Sequence, residues 1–98
     1  MTGADVSAAE ALRIGLADEV VDDERLLEAV QDFAEQLAAG PAVALSFTKR
    51  AVQRADTGDL SAALDFESWG QGVCFKTEDF AEGLQSFREK RPPRFQGR

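Results

Sequence analysis

Of the side chains that carry out chemistry, this sequence offers carboxylates and cations and little else. Its 98 residues contain no histidine and a single cysteine, Cys74. Without histidine, a Ser-His-Asp triad, a Cys-His dyad and a histidine-bound metal are all excluded. One cysteine can form neither an internal disulfide nor a thiolate cage, and its apolar neighbours suit a small buried residue better than a reactive thiol. Gly70-Gln71-Gly72 is too short for a phosphate-binding loop and follows no strand. The 18 Asp and Glu residues could in principle supply an acid/base pair. Yet nearly all fall at helix starts or on polar faces, where capping and solvation account for them. A general acid usually needs burial to bring its pKa toward neutrality. Glu67, beside Phe66 and close to Trp69, is the one acid set among apolar residues. No catalytic residue and no metal ligand is assigned.

Charge is unevenly spread. The formal net charge is -7, which argues against general nucleic-acid binding, since that needs a basic face. Residues 1–40 hold ten acids against two arginines, whereas residues 41–98 hold eight acids against nine Lys and Arg. From Arg88 onward there are five cations and one acid, Glu89. This basic end reads either as a solvated terminus or as a contact for an anion such as a phosphate. No apolar run approaches the roughly 18 residues of a membrane helix, and the start has neither the basic nor the apolar stretch of a signal peptide. Single-cysteine usage fits a reducing, cytoplasmic setting.

The elements that must position these groups are helices. Ser7-Ala8-Ala9-Glu10 has the spacing of a capping box, and Gly15 suits the left-handed stop of the short helix that follows. Asp22 or Asp23 caps a second helix, whose stripe is Leu26, Leu27, Val30, Phe33, Ala34, Leu37 and Ala38, with Val21 and Leu26 placed as a hydrophobic staple. Gly40 closes it. Pro41 suits the first position of a third helix running to about Ala55, and Thr57-Gly58-Asp59 breaks the chain. A fourth helix begins near Asp59 and carries Leu60, Ala63, Leu64, Phe66 and Trp69. At Gly70 and Gly72 it can end, kink or continue, because each glycine costs about 1 kcal/mol relative to alanine. Thr77 caps a fifth helix, on which Phe80, Leu84 and Phe87 form the expected buried side, and Pro92-Pro93 must stop it. The fold class is all-α, about five short helices with no independent sheet. The stripes are wide for so short a chain, so part of this apolar surface is expected to pack on another domain or copy.

Three stretches, taken together, resemble the C-terminal third of the crotonase family, the enoyl-CoA hydratase/isomerase enzymes. They are Thr2-Gly3 with Ser7-Ala8-Ala9-Glu10-Ala11-Leu12 and Gly15-Leu16-Ala17-Asp18-Glu19-Val20-Val21; Leu37-Ala38-Ala39-Gly40-Pro41 with Thr48-Lys49-Arg50-Ala51-Val52; and Thr77-Glu78-Asp79, Glu82-Gly83 and Phe87-Arg88-Glu89-Lys90-Arg91-Pro92-Pro93-Arg94-Phe95. Each is little more than capping and packing; their common order and spacing over nearly the whole chain carries the likeness. The resemblance implies that residues 1–98 are a single helical C-terminal module whose N-terminal β/α spiral core, with the oxyanion-holding amides and the acid/base glutamates, lies elsewhere. It implies a role in oligomerisation, as a trimer in the parent family, and in closing over the acyl-CoA. A chain without the oxyanion site is expected to be inactive alone. Phe87 and Lys90 fall where the family brings an aromatic and a lysine to CoA. No cofactor is implied beyond acyl-CoA as the parent's substrate, and neither nucleic acid nor membrane is an expected partner. The other reading is a free-standing helical protein–protein interaction module without enzymatic role.

Overall fold

The computed structural model describes residues 3–56 and 58–98. Thr2, in the first of the three stretches, and Thr57, in the predicted break, lie outside the described residues. Regular structure among them is entirely helical, as expected: α1 (Ala8–Arg13), a 3-10 turn (Asp23–Arg25), α2 (Leu26–Ala38), α3 (Ala42–Arg54), α4 (Leu60–Cys74) and α5 (Glu78–Glu89). Two compact units divide the chain, Met1–Ala34 and Glu35–Arg98, with α2 running from one into the other.

In the first unit, Ser7 caps α1 by accepting the Glu10 amide at 3.3 Å. The reciprocal half of the capping box does not form. The Glu10 carboxylate instead takes the Arg13 guanidinium at 2.6 and 2.5 Å, because a two-point charge-assisted pair is stronger than one bond to a backbone amide. Gly15 adopts φ 74°, the left-handed stop expected of it, and Leu16 donates back to the Ala11 carbonyl at 2.8 Å. Asp22 is extended before the 3-10 turn but makes no side-chain cap. Val21, Leu26, Ala29, Val30 and Phe33 line one hollow with Asp18 and Glu19, consistent with the staple.

In the second unit, Pro41 stands one position earlier than expected. It is the extended cap of α3, its carbonyl accepting the Leu45 amide at 3.0 Å. Asp59 caps α4 through the Ala62 amide at 2.7 Å, and α4 continues through both glycines to Cys74. At Gly70 a side chain of α3 comes close: a Cβ there would stand 2.9 Å from Cδ1 of Phe47. Phe47 packs edge-on against Trp69 with centroids 5.1 Å apart and lies 5.7 Å from Phe66. The Arg54 guanidinium sits 4.6 Å over the Phe66 ring, a cation–π arrangement. Thr77 joins two helices with one hydroxyl, which donates to the Cys74 carbonyl at 2.7 Å and accepts the Phe80 amide at 3.1 Å.

No hydrophobic side chain among the described residues is fully buried. The chain exposes 8562 Å², against roughly 5,500 Å² for a compact monomer of its mass and roughly 6,500 Å² even for two separately folded pieces of 34 and 64 residues. The expectation for α5 is therefore overturned: Phe80, Leu84 and Phe87 are exposed, whereas Asp79 and Ser86 are 3% and 4% exposed. The side of α5 that is covered is polar. What covers it is the chain's own C-terminus, which supplies amides and an arginine rather than apolar groups.

Candidate functional site

One side of α5 and the segment that follows the helix gather the charged groups. The covered face of the helix runs Asp79, Glu82, Ser86, spaced three and four residues apart as one helical stripe requires. Residues 91–98 fold back along this stripe. Glu82 takes Arg91 in a bidentate grip, Nη1 donating to Oε1 at 2.6 Å and Nη2 to Oε2 at 2.9 Å. The same carboxylate accepts the Arg94 amide at 2.8 Å. One turn earlier, the Asp79 carboxylate accepts the Gln96 and Gly97 amides at 2.6 and 2.9 Å, and its own amide donates to the Arg98 carbonyl at 3.1 Å. Arg98 reaches Glu78 at 2.9 Å. Phe95 is seated against Gly83, beside a hollow of about 260 Å³ whose wall includes Val43, Cys74, Phe80 and Leu84.

These contacts set the electrostatics. The Arg91 side chain, helped by the Arg94 amide, holds Glu82 far below the usual carboxylate range, at about 2. Glu89 is also lowered, first by the Gln85 amide and then by Arg91, whose Nε donates to it at 2.5 Å. The two carboxylates together push the Arg91 guanidinium up.

Lys90 follows the last turn of α5 in the left-handed region, φ 54° and ψ 41°. It is the only residue other than glycine with positive φ among those described. Its amide donates to the Phe87 carbonyl at 3.3 Å and the Arg91 amide to the Ser86 carbonyl at 3.1 Å, the paired bonds of a Schellman stop. Glycine is the usual occupant, and a side chain there costs about 1 kcal/mol. Phe87, one turn back, is 83% exposed. The two residues singled out from the sequence thus stand together at one helix end, linked through backbone, both facing outward. The basic end stays largely exposed, yet Arg91 and Arg98 pair with carboxylates of α5.

Reading the sequence for chemistry missed Asp79, Glu82 and Arg91. The signal was present as a second polar stripe on α5 beside the apolar one, and as an arginine placed just before the Pro92-Pro93 turn that sends the chain back. Glu67 is exposed and Cys74 half-buried. Among the described residues no cluster of three or more metal-ligating side chains occurs, and no helix is long and apolar enough to cross a membrane.

Comparison with known proteins places this geometry. Residues 1–98 match a family model described as Enoyl-CoA hydratase/isomerase. The short-chain-enoyl-CoA hydratase of Clostridium acetobutylicum is 38% identical over 90 residues, covering 92% of this chain and 34% of that protein. The 1,2-epoxyphenylacetyl-CoA isomerase of Escherichia coli is 36% identical over 98 residues, covering 100% of this chain and 37% of that protein. A crystal structure of an enoyl-CoA hydratase from Geobacillus kaustophilus superposes with a TM-score of 0.92 at 42% identity, over 99% of this chain and 38% of that one. The chain spans just over a third of the length of these relatives, and the part it matches is their C-terminal helical region.

Proposed function

Since the chain belongs to the enoyl-CoA hydratase/isomerase family, we propose that it is an oligomerisation and acyl-CoA-lid segment that works with a catalytic β/α core outside these residues. By itself it is inert. The enzyme it serves hydrates or isomerises an enoyl-CoA thioester, and the decisive step there is stabilisation of negative charge on the thioester oxygen. Among the described residues we assign no group to that task. Its described acids cap helices, hold arginines or face solvent, and Asp79 holds the amides of the folded-back C-terminus.

One observation carries the reading: the apolar faces have no cover of their own. Leu26, Leu27, Val30, Phe33 and Leu37 on α2, and Phe80, Leu84 and Phe87 on α5, are all exposed. The area exposed beyond that of folded pieces of this size, about 2,000 Å², is more than twice what one partner contributes to a standard interface. A chain of this composition is built to be covered by a larger body. Within that body, Phe87 offers an apolar lid surface and Lys90 a cation suited to the phosphates of CoA.

The test is direct. Pure chain mixed with crotonyl-CoA should leave the enoyl absorbance unchanged over the buffer control. Saturable loss of that absorbance would overturn the proposal.

A further inference from the structure

Lys90 occupies a backbone conformation that a lysine does not choose unaided, and the groups on either side of it show what imposes it. Glu89 and Arg91, its two chain neighbours, are tied to each other at 2.5 Å, so an ion pair closes across the lysine. Three further N–H groups of the same guanidinium go to both oxygens of Glu82 and, through Nη1, to the Pro92 carbonyl at 3.1 Å. Only a planar fork can bind two carboxylates in this way; an ammonium is a point donor. Glu82 is 21% and Arg91 33% exposed, so the grip is partly sheltered from screening. The turn holds Arg88, Lys90, Arg91 and Arg94 against Glu82 and Glu89, four cations to two acids. Both acids are engaged by Arg91. Lys90 makes no ion pair or hydrogen bond through its side chain among the described residues.

We infer that Glu82 is a positioning residue for Lys90: by gripping Arg91 it closes the left-handed turn and keeps the neighbouring carboxylates from neutralising the ammonium, which is thereby presented to an anionic ligand. The inference rests on the role given to Lys90 above. Glu82 itself touches no ligand.

The experiment uses the full, isotope-labelled chain, with coenzyme A as the probe. Backbone couplings and carbon shifts at residue 90 report its φ, and the Lys90 side-chain signals report binding. Glu82→Gln keeps the size of the side chain and an acceptor for the Arg94 amide but removes the charge. It should move residue 90 out of the left-handed region and weaken coenzyme A binding roughly five- to tenfold. The helical shifts from Phe80 to Gln85 should stay in place, which separates loss of the turn from loss of α5. Arg91→Lys keeps the charge and removes the fork; the same two losses are expected there. Residue 90 remaining left-handed in either variant would overturn the positioning role, whatever the ligand does. Lys90→Gln tests the reading beneath it. If that variant binds coenzyme A as tightly as the unaltered chain, the lysine's role in binding fails, while the geometry at residue 90 in Glu82→Gln still decides whether the clamp is real.

Discussion

A carboxylate that holds an arginine by both oxygens and accepts a backbone amide besides is stabilised in its charged form, and this gives Glu82 a measurable signature. Its folded pKa of about 2 lies below the roughly 4.3 of an unstructured glutamate. A depressed folded value means that the contribution to stability is complete above the ordinary carboxylate range and is lost as pH falls through about 2. The charged groups facing Glu82 are Arg91 and Arg94 from the folded-back segment and Glu89 from α5. Arg91 is pushed up and stays protonated throughout, so the carboxylate side governs the transition. We therefore expect the Arg91 side-chain N–H signals to stay protected and dispersed at pH about 3.5, where exposed carboxylates are largely half-titrated, and to collapse only near pH 2. Collapse near pH 4 would show that the grip seen here does not hold in solution.

At the level of helices, α3 and α4 make the best-defined contact, and the two glycines of α4 should answer oppositely to the same substitution. Gly70→Ala places a methyl 2.9 Å from Cδ1 and 3.2 Å from Cγ of Phe47. Phe47 cannot retreat without opening its contacts with Phe66 and Trp69, so a strain of about 1–3 kcal/mol outweighs the gain of about 1 kcal/mol in helix propensity. Gly72→Ala meets nothing within 4 Å and keeps only the gain, about 0.5–1 kcal/mol. Amide exchange along α4 should be faster in the first variant and slower in the second; equal responses would mean that the close approach at Phe47 is absent. The same helices show what a sequence can disclose. Ser7 and Thr77 were readable as caps because a cap is a local bond to an amide three residues on, whereas Asp59 was read only as the neighbourhood of a helix start. The course of α4 past Gly70 was not, since it depends on a ring from α3. Nor was the covered side of α5. Phe80, Leu84 and Phe87 repeat at helical spacing, and so do Asp79, Glu82 and Ser86. Which stripe is covered is decided by residues 91–98, whose amides match carboxylates. Phe87 and Lys90 could be singled out only through likeness to a family, because an exposed aromatic and a terminal lysine carry no signal of their own.

For the whole molecule the open question is what the isolated chain does with so much uncovered apolar surface. Two forces compete. Burial of the faces of α2 and α5 favours association, at about 25 cal/mol per Å² of apolar area removed from water. The net charge of -7 opposes bringing copies together. Salt weakens the second force and leaves the first nearly intact: the screening length falls from about 10 Å at 0.1 M to about 3 Å at 1 M. Sedimentation of the pure chain should accordingly show self-association that strengthens between those two salt concentrations. Its thermal unfolding should be broad, because among the described residues no fully buried apolar side chain ties the helices into one cooperative transition. The pairing of these two results is what discriminates. A monomer at both salt concentrations with a sharp melt would mean that the chain covers its own faces in solution, and the dependence on a larger body would have to be given up. Association that weakens with salt would point instead to opposite charges meeting, the acidic first 40 residues of one copy against the basic end of another, and would shift the interface from the apolar stripes to the charged ones.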